Sequence, residues 1–280
     1  TLVCSNTQVF DLSPLLSCKK LQSLGVKKSK VIAAQVAALQ KALPNCTIDW
    51  DGAAKLAYLD PAFMQWVKAT QALPAEQQIE AVSKKLMELN PGFDGKVKHS
   101  IENGVVTLLD LLTDNVTDIS PVRAVVDLQA LLCTGRDCNG KLADLSPLAG
   151  MKLETLYCGG NRVSDLSPLG GMPLSALFCG DTQVSDLSPL RGMPLARLSF
   201  HHTPASDLSP LAGMPLTEIA FTPANITKGL DIIRQMKSLK AIATGKAAMD
   251  KLPPAEFWKR YDAGEFGKPA APAPQPAAAK

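Results

Sequence analysis

The sequence predicts an α/β solenoid, with a parallel β-sheet on its concave face and a small helical and hairpin cap that interrupts the array. A five-residue string, Asp-Leu-Ser-Pro-Leu, recurs every 21 residues, starting at Asp144, Asp165, Asp186 and Asp207. Each unit opens with Leu-x-x-Leu-x-Cys or Leu-x-x-Leu-x-Phe. One unit of this length cannot bury its own apolar face, so neighbouring units must stack.

The first half of each unit predicts a strand, and the second half predicts a turn. The second Leu and the Cys or Phe are two positions apart, so both side chains point to one face of a strand. Ser-Pro suits the start of a short helix, with Ser as the N-cap and Pro at the first position. Gly171, Gly192 and Gly213 suit the chain reversal that follows.

The unit resembles the leucine-rich repeat in a short form of 21 residues. The stretch 182–195, Thr-Gln-Val-Ser-Asp-Leu-Ser-Pro-Leu-Arg-Gly-Met-Pro-Leu, is similar to repeats of planctomycete-type bacterial proteins. The resemblance covers roughly residues 1–50 and 105–245. It implies a generic binding scaffold. It also implies that such an array often follows a serine/threonine kinase domain.

The predicted organisation has five parts. Residues 1–50 are the C-terminal end of a first array, and residues 105–245 are a second array with a five-residue insertion after Cys133. Between them, residues 51–104 form a helical and hairpin cap or linker. Residues 246–266 form a C-terminal capping helix in which Phe257, Trp258 and Tyr261 dock on the last repeat. Residues 267–280 form a disordered Pro/Ala-rich tail.

Within the cap, Asp60-Pro61 predicts a helix start, and Pro74 begins a second helix with apolar residues at helical spacing. Asn103-Gly104 predicts a hairpin turn. The cap either seals the open sheet edge, as solenoids require, or carries a ligand site of its own.

Composition excludes several classes of protein. The chain has 29 Lys and Arg against 26 Asp and Glu, a net charge of +3, so we expect no nucleic-acid partner. No apolar run reaches the roughly 18 residues of a membrane span. An odd count of seven cysteines favours free thiols and a cytoplasmic location, or an extracytoplasmic one if a membrane-spanning kinase precedes the array. Because Thr1 falls inside a repeat, we expect the chain to be a fragment.

The residues that suggest chemistry have structural interpretations. Cys4, Cys133, Cys158 and Cys179 share a repeat position with Phe200 and Phe221, which predicts a core position. Cys138, in the insertion, is the thiol expected to be exposed. It has no partners at zinc-binding spacing.

Two further motifs are weighed in the same way. The string 135–142 matches a phosphate-binding loop except at Leu142, where a hydroxyl is needed. His201-His202 is interpreted as a surface pair, because no carboxylate lies at helical or strand spacing from it. We therefore expect no cofactor, no metal and no catalysis within this chain.

The sheet face that points away from the core, called the open face below, is the predicted partner site. Leu132, Tyr157 and Phe178 should align on successive strands. An aligned apolar row indicates a binding surface, although it could also be a chance scatter of surface hydrophobes. The full candidate set is Leu132, Tyr157, Phe178, Arg197, Ser199, His201 and Glu218.

The predicted function is a non-catalytic scaffold that binds a protein or peptide through this face. The alternative is the C-terminal regulatory or sensing arm of a serine/threonine kinase encoded upstream. A third hypothesis is an array that only spaces or stiffens a larger protein.

Overall fold

The computed structural model describes residues 1–5, 12–27, 31, 33–50, 60–245 and 251–267. Its N-terminal part is a small parallel sheet in the order β1-β2-β3, made of β1 (Leu2–Val3), β2 (Ser23–Gly25) and β3 (Thr47–Asp49). Helix α1 (Ala33–Ala42) connects β2 to β3. Leu24 and Leu39 are fully buried in the core between them. Like the main array described next, this part is a sheet of parallel strands in chain order.

The main array is an eight-stranded sheet in which the strands follow one another in chain order. Its strands are β4 (Lys98–Glu102), β5 (Val105–Leu112), β6 (Ala130–Thr134), β7 (Thr155–Tyr157), β8 (Ala176–Phe178), β9 (Arg197–Ser199), β10 (Glu218–Ala220) and β11 (Ala241–Ala243). From β5 to β11 every pairing is parallel.

The register of this sheet places one apolar residue of every repeat in a single row. Leu131, Leu156, Leu177, Leu198, Ile219 and Ile242 are paired in turn, and each is at most 2% exposed. Stacking therefore buries what a single unit would expose. One short parallel strand and one return turn per repeat define a leucine-rich-repeat solenoid, and the predicted fold class is confirmed.

The return turns are one-turn 3₁₀ helices that start at the Ser of each Ser-Pro pair, at Ser120–Ala124, Ser146–Leu148, Ser167–Leu169, Ser188–Leu190 and Ser209–Leu211. The prediction that Ser is the N-cap is wrong. Leu145 holds that position in its unit without a capping side chain. The carboxylate of Asp144 instead accepts the backbone N–H of Ser146 at 2.7 Å. Asp fits this turn because its short side chain reaches the N–H two residues on.

Just after three of the strands, β7, β8 and β9, a buried polar side chain donates a hydrogen bond to a backbone carbonyl. Asn161 is 4% exposed, and its Nδ2 donates to the carbonyl of Cys133 at 2.8 Å. The hydroxyls of Thr182 and Thr203 donate to the carbonyls of Cys179 and Phe200, each at 2.7 Å. These bonds satisfy buried carbonyls at the point where the chain leaves the sheet.

The cap begins with two helices, α2 (Pro61–Gln71) and α3 (Ala75–Leu89). Asp60 starts α2 by accepting the N–H of Ala62 at 2.9 Å. Val82 and Leu86 of α3 are fully buried in the same core as the repeats. The sequence predicted both helices from their Pro-marked starts and their apolar spacing.

The predicted hairpin follows, with Asn103 and Gly104 at φ of 50° and 79° in its turn. Strand β4 pairs with β5 in an antiparallel manner, while the other edge of β5 pairs in parallel with β6. The hairpin therefore covers the edge that the first repeat would otherwise leave unpaired.

The other end of the array is closed by α4 (Leu230–Gln235) and α5 (Pro254–Asp262). Phe257 of α5 is fully buried against Phe221, with ring centroids 5.9 Å apart. Ile242 forms an antiparallel bridge with Leu252. Residues 246–250 and 268–280, including nearly all of the predicted tail, lie outside the described residues. In the described part of the chain, no helix is both long and apolar enough to cross a bilayer.

Candidate functional site

The open face carries an aromatic platform at its centre. The register pairs Leu132 with Tyr157 and Tyr157 with Phe178, so the predicted row is aligned. The Tyr157 and Phe178 rings are stacked, with centroids 4.1 Å apart and an interplanar angle of 12°. Both side chains remain partly exposed. An offset stack of this kind offers a rigid apolar surface at a small cost in side-chain entropy.

Charged side chains flank the platform on its β9 and β10 side. The guanidinium of Arg197 lies 5.7 Å from the centroid of the Phe178 ring, within cation–π range. Arg197 is paired in register with Glu218. The carboxylate of Glu218 forms an ion pair with Lys251 at 2.6 Å. The platform thus has an exposed cation at its edge and a neutralised pair beyond it.

A cavity of about 340 Å³ opens beside the platform. Small residues leave this space, because Ser199, Ala220 and Ala243 continue the row that Tyr157 and Phe178 begin. The cavity is lined by Phe178, Arg197, Leu198, Ser199, His201, Glu218, Ile219, Ala220, Ala241, Ala243, Gly245 and Lys251. Its size is at the lower end of the range for ligand pockets.

A second cavity, of about 410 Å³, lies along the carboxyl ends of the strands. It shares Phe178, Ser199 and His201 with the first cavity. The two cavities are therefore adjacent on the open face, and together they are called the groove below. Of the seven candidate residues, Leu132 is the one outside both linings, although it is adjacent to Tyr157 in register.

The carboxylate of Asp181 lies between the two adjacent histidines. His201 Nε2 is 3.2 Å from Asp181 Oδ2, and His202 Nδ1 is 2.8 Å from Asp181 Oδ1. The expectation that this pair lacks an orienting carboxylate is wrong. In a solenoid the nearest neighbour in space is one repeat away in sequence, and Asp181 precedes His202 by one period of 21 residues.

The position shared by Asp181 and His202 has a demanding backbone conformation. Gly160, Asp181 and His202 occupy it in successive repeats, with φ of 68°, 56° and 52°. Glycine is the residue that adopts this left-handed region without strain, and Asp tolerates it better than most. The N–H of Asp181 donates to the carbonyl of His201 at 2.9 Å, which links the two repeats at this point.

His201 is held in a slot made by glycines and a hydroxyl. Its Nδ1 is 2.9 Å from Ser199 Oγ, which leaves Nε2 to face Asp181. A Cβ added at Gly180 would lie 2.3 Å from the ring, and one added at Gly245 would lie 2.2 Å from the Cβ of His201. Burial lowers the pKa of His201, as does His202, and the charge of Asp181 opposes them.

The repeat-position cysteines are core residues in the main array. Cys133, Cys158 and Cys179 are fully buried, and burial raises the pKa of Cys133 and of Cys179 to about 12. Cys138 is exposed, as predicted, but Cys18 is exposed as well, so the expectation of a single exposed thiol is wrong. Cys18 follows a return turn of the first array, where the chain runs along the surface.

The phosphate-loop-like segment is engaged within the solenoid. The N–H groups of Gly135 and Gly140 donate to the carbonyls of Gly159 and Gly160 at 3.1 and 2.9 Å. Leu142 is fully buried. The donors that would cradle a phosphate are thus used to join this unit to the next one.

The groove is also lined by residues outside the predicted candidate set, among them Cys138, Asp181, Gly245 and Lys251. Aligning the repeats would have found Asp181, because it falls one period before His202. Lys251 and Gly245 lie where the period fades, so no repeat signal could have placed them.

Among the solved structures similar to this chain are two proteins from Listeria monocytogenes str. 4b F2365. Internalin C2 is 22% identical, with a TM-score of 0.38, over 78% of this chain and 69% of that one. An internalin, inlF, is 19% identical, with a TM-score of 0.40, over 86% of this chain and 72% of that one. No protein-family model matches the chain, and no curated protein matches it. The leucine-rich-repeat fold is assigned from the strand order and register described above.

Proposed function

We propose that this chain is a binding scaffold that takes an extended segment of a partner protein across the groove of its open face. The segment would lay its backbone over the Tyr157–Phe178 platform and place one large apolar side chain in the cavity beside it. The observation that carries the proposal is the stack of two partly exposed rings at 4.1 Å, next to a cavity of about 340 Å³.

The cavity favours a side chain rather than a cofactor. Seven of its twelve lining residues are apolar, among them Ala220, Ala241 and Ala243. Four of the five polar ones already have partners, because Ser199 contacts His201 and Glu218 pairs with Lys251. Such a lining favours an apolar group over a polar ligand. A cavity of this volume accommodates one large aliphatic or aromatic side chain, which is the usual anchor of an interface.

The charges at the rim favour an acidic group next to that anchor. Arg197 is exposed, and its guanidinium is already oriented over Phe178. The ion pair of Glu218 and Lys251 neutralises the opposite rim. A carboxylate on the partner segment would pair with Arg197 in the bidentate geometry that arginine favours. We therefore infer a segment with an apolar residue and a nearby acidic residue.

A peptide library selected on the whole chain tests this proposal. Selected peptides should carry an apolar anchor, and Phe178→Ala should weaken their binding by at least about 30-fold, as loss of a hot-spot residue does. Ala220→Leu should have a similar effect, because its larger side chain fills the cavity while the strand keeps its pairing. Titration calorimetry or fluorescence anisotropy measures both.

Val126→Ala is the matched control, because Val126 is 55% exposed and lies outside the lining of the groove. Thermal unfolding of each variant confirms that the array is intact. Selected peptides that bind folded Phe178→Ala and Ala220→Leu as tightly as the original chain would contradict the proposal. A selection that enriches no saturable binder would instead favour the spacer hypothesis.

A further inference from the structure

We propose that Asp181, His201 and His202 form a binding site for a divalent transition-metal ion of the Zn²⁺ type at the end of the groove. The proposal goes beyond partner binding and does not depend on it. One ligand atom from each of these three residues lies within 4.8 Å of the other two. Two imidazole nitrogens and a carboxylate oxygen are a common donor set for Zn²⁺ and its neighbours.

The distances are close to those that a bound ion would impose. A tetrahedral Zn²⁺ with bonds of 2.0–2.1 Å holds its ligand atoms about 3.3 Å apart. His201 Nε2 is 3.2 Å from Asp181 Oδ2, and His202 Nδ1 is 2.8 Å from Asp181 Oδ1, so each imidazole contacts a different oxygen of one carboxylate. A carboxylate can ligate an ion through one oxygen or through both. Two imidazoles on one such ion have ring centroids about 5 Å apart. The centroids of His201 and His202 are separated by 5.1 Å.

The backbone explains how two consecutive histidines can face one carboxylate. Along a regular strand, neighbouring side chains point to opposite faces, so adjacent histidines could not share an ion. His202 has a φ of 52°, which turns its side chain back towards Asp181. Its backbone N–H donates to Thr222 Oγ1 at 2.8 Å, which holds that turn in place.

Neighbouring groups orient the donors, as hydrogen-bond partners of the ligands do in metal sites. Ser199 Oγ contacts His201 Nδ1, so Nε2 is the nitrogen that faces Asp181. Gly180 and Gly245 leave the space that His201 occupies, since a Cβ at either position would overlap the residue. Partners of this kind fix the ring that ligates and support metal affinity.

The donor set selects against the hard cations. Mg²⁺ and Ca²⁺ prefer sites built from oxygen ligands, and two of the three donors here are nitrogens. The cavity that contains Asp181 and His201 is also lined by Cys138, an exposed thiol. A water molecule can complete the coordination.

Calorimetric titration of the metal-stripped full chain with Zn²⁺ tests the site. We expect saturable binding of one ion per chain and no saturation by Mg²⁺ at the same concentrations. Asp181→Asn and His202→Asn should each weaken Zn²⁺ binding by more than about 100-fold, since changing a group that only hydrogen-bonds to a metal ligand already costs 10–100-fold. Asparagine tolerates the left-handed backbone at both positions, so these variants should keep the fold.

His99→Asn is the matched control, because His99 is exposed on β4, distant in sequence and register from the site. It should bind Zn²⁺ as the original chain does. Cys138→Ser separates this site from binding by a thiol alone. Equal loss in His99→Asn, or loss in Cys138→Ser with full retention in Asp181→Asn and His202→Asn, would overturn the proposal.

NMR of the imidazole nitrogens in the unmodified chain provides a second measurement that needs no variant. Zn²⁺ should shift the signals of His201 and His202 and leave those of His99 in place. A spectrum in which Zn²⁺ moves none of the three, or moves His99 alone, would overturn the proposal even if a variant had failed to fold.

Discussion

Two groups of repeats in the main array place their large side chains on opposite faces of the sheet. In the repeats of β6 to β8 the core position holds Cys133, Cys158 or Cys179, and the open face carries Leu132, Tyr157 and Phe178. In the repeats of β9 and β10 the core position holds Phe200 and Phe221, and the open face carries Ser199 and Ala220. The strands nevertheless pair in one continuous register.

This contrast separates what the fold needs from what it tolerates. A small core residue and a large one both support the same backbone, so the solenoid adapts its packing unit by unit. The rings on the open face are not required by the strand register, because Ser199 and Ala220 hold the same register without them. The large side chains in that row therefore shape the exposed surface, and the small side chains next to them leave room for the cavity.

The largest predicted effect on stability is in the repeats of β9 and β10, whose core position holds a Phe. Phe200→Ala should lower the free energy of unfolding by about 3–5 kcal/mol, because it leaves a cavity beside Phe221 in a closed core. Phe178→Ala should cost only about 1–2 kcal/mol, because the ring is already partly exposed to water in the folded chain. Urea unfolding followed by circular dichroism measures both. Equal costs would show that the open-face stack also holds the array together.

An intermediate effect is expected at Asn161, whose buried side-chain amide hydrogen-bonds to backbone carbonyls of two adjacent repeats. Asn161→Ala should cost about 2–3 kcal/mol, because it leaves buried groups unpaired, among them the carbonyl of Cys133 and the hydroxyl of Thr113. Thr203→Val removes a single hydrogen bond, the one to the carbonyl of Phe200, and should cost about 1 kcal/mol. The same urea experiment decides. A larger loss of unfolding free energy in Thr203→Val than in Asn161→Ala would contradict this expectation.

The smallest effect is electrostatic and concerns Asp207. Burial raises the pKa of this carboxyl, but hydrogen bonds from Lys228 and Ser209 outweigh it and lower the pKa to about 2. A folded pKa below the unfolded one stabilises the fold at pH above about 4, and this contribution is lost as the pH falls towards 2. Because the Asp207 side chain is 44% exposed, we expect under about 1 kcal/mol.

Thermal unfolding between pH 2 and 6 measures this contribution. Asp207→Asn and Lys228→Met should each flatten the fall in melting temperature below pH 4. A Lys228→Met curve that coincides with that of the original chain would show that Lys228 does not hold the pKa down.

Much of the architecture could be predicted because the repeat states it several times. The period, the strand motif and the Asp-Leu-Ser-Pro-Leu turn each recur, so one local interpretation is tested at every unit. The helices of the cap and the turn at Asn103-Gly104 have their own start and stop signals. The capping role that the sequence predicts for Ser146 is wrong, because the carboxylate of Asp144 accepts the backbone N–H at the start of the turn.

The candidate site was only partly predictable. The alignment of Tyr157 and Phe178 follows from the period, but their stacking depends on side-chain torsions that no pattern encodes. The roles of these residues, the domain boundaries, the compartment and the kinase-arm alternative remain predictions.

The repeat pattern specifies the period, the direction of the sheet, the core residues and which positions of neighbouring repeats align, because apolar side chains at a fixed spacing must be buried together. The packing of one repeat on the next decides which of the aligned side chains touch. Asp181 faces His201 and His202 because stacking turns a separation of one period into 3 Å, and because a left-handed backbone at residue 202 reverses the direction of a side chain. Such meetings depend on the geometry between units, which no local pattern contains.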